Sequence, residues 1–277
     1  MNNKHTVWST KMVTRKLPFG MLIAAVLVLP LSLPGAAAHA QTSAPSSVDA
    51  NNPLAEFKAF NLHNYYVTSL TEADNQNANT FWVRYAQPFG KWLVRGSLPV
   101  QRVPTGFGQT SSGLGDVSAF ATYLFDTGNP GISFGVGPQI VAPTASEDAT
   151  GTGKWQGGLA ATYFNATSKS LQWGGLVTWQ ASFAGDSDRS DTNVLAVQPF
   201  VILQVGNGWY LRSTAIAAFN LETDSYNVPV GLGVGKVIPS GNKVFNVFVE
   251  PQFTILDRGA GQPEMQIFVG FNTQFAK

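Results

Sequence analysis

The stretch Phe245-Asn246-Val247-Phe248-Val249-Glu250-Pro251-Gln252-Phe253-Thr254-Ile255 decides the fold. Side chains of a β-strand point alternately to opposite faces. Phe245, Val247, Val249, Pro251, Phe253 and Ile255 therefore share one face, opposed by Asn246, Phe248, Glu250, Gln252 and Thr254. One face is wholly apolar; the other is polar and almost uncharged. The last segment repeats the pattern, with Ile267, Val269, Phe271, Thr273 and Phe275 opposing Gln266, Phe268, Gly270, Asn272 and Gln274. Leu195, Val197, Pro199, Val201, Leu203 and Val205 likewise oppose Gln198 and Gln204. Leu171, Trp173, Val177, Trp179, Ala181 and Phe183 oppose Gln172, Gly174, Thr178, Gln180 and Ser182.

Working outward, the same period predicts about twelve strands: 57–70, 79–88, 91–103, 115–126, 131–143, 155–167, 170–183, 193–205, 208–221, 225–238, 242–256 and 264–275. Asn61, His63 and Asn64 blur the pattern of the first. Each is long enough to cross a bilayer at a tilt, which takes roughly 9–11 residues. Short turns fall at Pro88–Gly90, Asp126–Pro130, Asn165–Lys169, Gly206-Asn207 and Ser240-Gly241. Longer polar stretches fall between them at Thr71–Ala78, Pro104–Leu114, Thr144–Lys154 and Gly185–Thr192, with shorter ones near Thr223 and Gly259. Regular alternation of short and long connections belongs to barrels of the outer membrane. The expectation is an all-β protein, a transmembrane antiparallel up-and-down β-barrel of about 12 strands with both termini periplasmic.

A soluble barrel or jelly roll also alternates, but its water-facing positions are rich in Lys, Glu and Asp. Here that face carries Gly, Ser, Thr, Asn and Gln, and charged residues make up only 12% of the chain against about 25% in soluble domains. Trp92, Trp173 and Trp209 follow short turns and Trp155 and Trp179 approach the long loops, where interfacial aromatic girdles fall. The absence of cysteine excludes disulfides and thiolate chemistry. With no mature segment apolar and long enough for a spanning helix, a closed barrel is the remaining way to satisfy backbone groups in lipid.

The first forty residues stand apart. Lys4, Lys11, Arg15 and Lys16 precede an apolar run from Phe19 to Leu33 broken by Pro30, and Ala38-His39-Ala40 follows. These are the parts of a cleaved secretory signal. The organisation expected is a signal peptide over 1–40, a short periplasmic segment over 41–56 and an outer-membrane barrel over 57–277. Removing the signal takes four of the 17 Lys+Arg and none of the 16 Asp+Glu, leaving a net charge of −3. That gives no basic footprint for nucleic acid.

The order of several motifs resembles the outer-membrane family labelled as meta-pathway phenol-degradation proteins. They are Gly113-Leu114-Gly115-Asp116, Gly151-Thr152-Gly153-Lys154-Trp155, Val234-Gly235-Lys236-Val237, Asn246 to Gln252 and Gln266 to Phe271. The likeness runs from about Phe81 to the end. It implies a barrel connected with uptake of aromatic or other small compounds. Phe275, preceded by alternating apolar residues, also looks like the signal that the barrel-assembly machinery reads, although Ala276-Lys277 follow it.

Chemistry-bearing motifs are few. Gly151-Thr152-Gly153-Lys154 lacks the Ser or Thr and the helix of a phosphate loop. Gly231, Gly233 and Gly235 recur at period two, so they share one strand face, where they leave space. His63 is the only mature histidine, which excludes a multi-histidine metal site; paired with a serine it would make a membrane-embedded hydrolase, as in outer-membrane phospholipases. Alternation turns Arg84, Arg95, Asp116, Arg212, Glu250 and Gln252 into the lumen, since Arg at the lipid midplane costs roughly 2–4 kcal/mol. They form either a polarised constriction or a set of mutual ion pairs. Phe120, Phe248 and Phe268 also point inward. Lys236 can snorkel to headgroups, and Glu147, Asp148, Asp186, Asp188 and Asp191 stand on the long loops. The function expected is a passive channel for small molecules, aromatic or amphipathic, without catalytic, cofactor or metal residues. Its alternatives are the hydrolase and a plugged structural or surface-binding barrel. Outer-membrane lipid, lipopolysaccharide, the assembly machinery and a small-molecule permeant are the expected partners.

Overall fold

Period-two patterning becomes a closed wall. The computed structural model describes residues 49–275, apart from 74 and 107; the expected signal peptide lies outside the described residues. The strands are β1 (Lys58–Leu70), β2 (Ala78–Phe89), β3 (Trp92–Gly106), β4 (Gln109–Leu114) and β5 (Val117–Phe125). They continue as β6 (Ile132–Ala142), β7 (Lys154–Asn165), β8 (Leu171–Gly185), β9 (Asn193–Gly206) and β10 (Trp209–Ser213). The last are β11 (Ala217–Asn220), β12 (Ser225–Gly231), β13 (Gly233–Ser240), β14 (Lys243–Arg258) and β15 (Pro263–Phe275). All pairings are antiparallel, and β1 pairs with β15, which closes the sheet on itself.

Three staves of the barrel consist of two strands each: β4 with β5 against β3, β10 with β11 against β9, and β12 with β13 against β14. Counted by staves, the barrel is 12-stranded, as the alternation predicts. Each interruption lies opposite a proline. The register places Pro99 against the gap at 115–116, Pro199 against that at 214–216 and Pro251 against Leu232. Proline has no N–H to give the ladder, so pairing lapses there.

The facing is inverted relative to a soluble protein. Along β14, Val247, Val249, Phe253 and Ile255 are 37–58% exposed, while Asn246, Phe248, Glu250 and Gln252 are 0–5% exposed. Apolar side chains look outward and polar ones fill the interior, which is stable only where hydrocarbon surrounds the wall. The Asn207-Gly208 turn has positive φ at both positions, 50° and 78°. That is the mirror-image turn whose twist suits a two-residue hairpin.

One long connection differs from expectation. Residues 104–114 are not a polar loop: β3 continues to Gly106, the chain turns at Gly106 and Gly108 with φ of 92° and 74°, and β4 returns. The 144–154 connection contains a short 3-10 helix, Asp148–Thr150.

Residues 49–57 do not hang free of the barrel. A 3-10 turn, Asp49–Asn51, brings Ala50 into an apolar cluster with Phe164, Phe200, Tyr210, Val237, Val244, Phe248 and Phe268. Leu54 packs on Ala86 and Leu93. Asn246 donates through Nδ2 to the Ala50 carbonyl at 3.1 Å, and Gln274 through Nε2 to the Asp49 carbonyl at 3.1 Å. The segment thus lies inside the short-turn end and is held by the last two staves.

Candidate functional site

At the waist of the barrel the lumen holds a cavity of about 310 Å³ lined by His63, Tyr65, Arg84, Arg95, Phe120, Gln198, Arg212, Phe248, Phe268 and the 50–57 segment. Its charges come in two states of compensation. Glu250, fully buried, accepts from Arg212 Nε at 2.8 Å, from the Thr214 backbone N–H and hydroxyl at 2.7 Å each, and from Gln252 Nε2 at 3.1 Å. Arg212 also donates to Thr214 Oγ1 at 2.6 Å and lies with its guanidinium carbon 3.5 Å from the Phe248 ring centre. That pair is locked. Glu250 is thus paired with one guanidinium, and the remaining donors around it fill its oxygens.

Arg84 and Arg95 have no carboxylate partner among the described residues. They stand on adjacent strands, where Arg84 faces Ser97 and Arg95 faces Ala86. This makes them diagonal neighbours, about 7–8 Å apart at the backbone. Arg84 donates through Nη1 to His63 Nδ1 at 2.6 Å, and its guanidinium lies 4.6 Å from the Trp82 ring. Arg95 lies 4.2 Å from the Phe120 ring. The Nε of each is buried without a partner among the described residues. The waist therefore carries three guanidinium groups and one carboxylate, set against aromatic faces. Cation–π contact is a favourable way to seat a charge whose donors still point into open space.

His63 stands within β1 and lines the cavity. Since Nδ1 accepts from Arg84, Nε2 carries the hydrogen and donates to Asn272 Oδ1 at 2.8 Å. Both ring nitrogens are thereby occupied, and no serine meets them among the described residues. Tyr65 stacks on Phe268 at 4.1 Å and 8°.

The glycines on this face make room, as period two suggests. A β-carbon at Gly235 would clash with the Tyr210 ring, and one at Gly270 with the Phe248 ring. The Tyr210 hydroxyl reaches Asn246 Oδ1 at 2.5 Å, so this packing also orients the amide that holds the N-terminal segment.

Asp116 does something other than line the waist. Oδ1 accepts from the Thr144 and Ala145 N–H groups at 3.1 Å, and Oδ2 from the Thr152 N–H at 2.7 Å and hydroxyl at 2.9 Å. It ties the 144–152 loop across the long-loop end. There a second cavity of about 400 Å³ is lined by Trp82, Gln101, Asp116, Thr150, Gln156 and Gln180; Ser118 and Gln180 line both cavities. A carboxylate only accepts, so each relay of donors that reaches one has a fixed direction. Gln139 donates to Gln180 at 2.8 Å, Gln180 to Gln156 at 2.7 Å, Gln156 to Thr152 at 3.1 Å, and Thr152 to Asp116. Gln266 donates to Gln252 at 2.7 Å and Gln252 to Glu250. The amide oxygens of Gln139 and Gln266 end these relays.

Alternation thus brings Arg84, Arg95, Arg212, Glu250 and Gln252 into the interior and puts Asp116 at its long-loop mouth. Sequence reasoning missed Tyr65, Trp82 and Tyr210, although their parity with His63, Arg84 and Arg212 was a usable signal. It also missed the luminal seat of residues 49–57, for which no local signal exists.

A family model described as "Putative MetA-pathway of phenol degradation" matches residues 40–198. No protein of curated function matches the chain by sequence. Among solved structures, an outer membrane channel from Pseudomonas putida F1 is similar at TM-score 0.57 and 14% identity, covering 79% of this chain and 96% of that one. The NanC porin is similar at TM-score 0.53 and 8% identity, covering 79% of this chain and all of that one (100%). At these identities the likeness is one of fold.

Proposed function

The chain belongs to the MetA-pathway phenol-degradation family, whose model covers more than half of it, and from that premise we propose that it is a passive outer-membrane channel for small aromatic or amphipathic solutes. The observation that carries the reading is the waist: three guanidinium groups against one carboxylate, flanked by Phe120, Phe248, Phe268 and Tyr65. Aromatic walls offer faces to a ring, and unpaired guanidinium groups offer donors to a phenolate or carboxylate. Solutes carrying both are favoured over cations of the same size. Movement is down a gradient, with no cofactor and no coupling to energy. In this reading the short turns and the N-terminal segment face the periplasm and the long loops stand among lipopolysaccharide.

The test is single-channel recording in planar bilayers under a salt gradient. A reversal potential favouring chloride over potassium is expected, together with concentration-dependent current block by benzoate or a phenolate. Cation preference, or block by neither solute, refutes the proposed selectivity.

A second reading is favoured by the 49–57 segment and the 144–152 loop, which both occupy the lumen. A barrel plugged in its resting state is silent until the segment leaves. Deleting residues 49–56 then produces conductance where the full chain has none, whereas an open channel conducts before the deletion and more afterwards.

A further inference from the structure

Lysine and arginine are sorted in this barrel. Five of the six described lysines, Lys58, Lys91, Lys169, Lys236 and Lys243, lie at the short-turn end, while the described arginines lie in the lumen or toward the long loops. The described acids at the short-turn end are Asp126, whose carboxylate already accepts from the Gly128 N–H, and Asp49 and Glu56 of the N-terminal segment, which also have interactions of their own. Acids gather at the opposite end, at Asp148, Asp186, Asp188 and Asp191 among others. Three of the five lysines lie over aromatic rings: Lys91 over Tyr123 at 6.0 Å, Lys236 over the exposed Trp209 at 4.8 Å and Lys243 over the half-buried Phe275 at 5.4 Å. Ammonium groups on long stems above a girdle of rings sit at headgroup depth.

The register makes one place on this rim a site. Phe275 pairs with Lys243 on one side and with Lys58 on the other, so the two exposed lysines flank it in a single row. With strands about 4.8 Å apart their backbones are about 10 Å apart, within reach of one phosphate for two lysine stems. Neither lysine has an ion-pair partner among the described residues. The next rows toward the hydrocarbon are Phe60, Thr273 and Phe245, then Leu62, Phe271 and Val247; Phe245 stacks on Phe271 at 5.9 Å.

We propose that the Lys58–Phe275–Lys243 row binds the headgroup of an anionic glycerophospholipid. The phosphodiester is held between the two ammonium groups and an acyl chain lies on the apolar rows beside them. A free phosphate finds the charges but not the apolar rows, and a zwitterionic headgroup brings a cation of its own against the lysines. The proposal rests on the barrel standing in a bilayer and is independent of what crosses the lumen.

The processed full-length barrel, purified in detergent, is titrated separately with phosphatidylglycerol and phosphatidylcholine, and bound lipid is counted by native mass spectrometry. Phosphatidylglycerol is expected to be retained in preference. The K58Q/K243Q pair should weaken that retention about thirtyfold, at roughly 1 kcal/mol per lysine near a charged surface. K154Q, at the other end, should not change it. Each single variant, K58Q or K243Q, is expected to be intermediate, and heat-modifiable gel mobility confirms that each variant is folded. Conductance measured in parallel should be unchanged in K58Q/K243Q, which separates failure of this site from failure of the channel. Equal retention of the two lipids, or wild-type retention by the double variant, overturns the proposal. So does displacement of phosphatidylglycerol by an equal concentration of inorganic phosphate.

Discussion

Arg212 and Arg95 carry the same charge into the same lumen, yet their removal has different consequences. Arg212 is bonded to Glu250, a carboxylate with no exposure at all. Arg212→Gln leaves that charge buried and unpaired, a loss of about 3–5 kcal/mol where such pairs have been broken. Arg95 lies against the Phe120 ring, has no ion-pair partner among the described residues and has the like charge of Arg84 for a diagonal neighbour. Arg95→Gln is therefore expected to leave stability nearly unchanged while lowering the preference for anions. Urea unfolding in liposomes and reversal potentials in a salt gradient distinguish the two; equal destabilisation would contradict the assignment. The inward direction of both arginines was legible, because parity alone gives it. Their partners were not, since Arg212 and Glu250 lie 38 positions apart and meet only through the register. Asp116 keeps the inward parity of Ser118 and Phe120 although it stands in the gap between β4 and β5, but parity gave no sign that its carboxylate would be taken up by the 144–152 loop.

The long-loop connections are built elements with their own electrostatics. Lys154 Nζ pairs with Asp191 Oδ1 at 3.0 Å, and Asp191 also accepts from the Ser182 hydroxyl at 3.1 Å. The hydrogen bond from Lys154, then that from Ser182, lowers the carboxyl's pKa below its usual value. A group whose folded pKa is depressed stabilises the fold fully above the unfolded value, about 3.9, and loses that contribution as pH falls through the lower folded value. Opening of residues 186–192, read as hydrogen exchange divided by the intrinsic amide rate at each pH, should therefore be flat from neutrality to about pH 4 and rise in stronger acid, while Asp191→Asn shows the greater opening already at neutral pH. A rise centred near pH 6 would point to another group. At this scale the segments that face hydrocarbon were legible to within a few residues. β4 was not, because Gln109-Thr110-Ser111-Ser112-Gly113 has no apolar face to alternate with. The three proline gaps were equally hidden: the cause sits on one strand and the effect on its neighbour.

Whole-barrel facing is the strongest statement in the chain, and a pair of adjacent positions tests it. Val177 looks outward from the middle of β8, and Thr178 lines the cavity. Val177→Arg should destabilise the barrel by about 2–4 kcal/mol, whereas Thr178→Arg should cost much less and change conductance instead. Comparable unfolding free energies for the two would put the lipid on the wrong side of the wall. That facing was legible because twelve staves repeat it. The occupancy of the interior was not, since the segment that fills one end is joined to its seat by bonds spanning 196 and 225 positions. This separation orders the construction of the molecule. Residues 49–51 stand early in the chain yet are among the last to be seated, because Asn246 and Gln274 arrive only with the closing hairpin. Until then the short-turn end of the lumen is without the lining that this segment supplies.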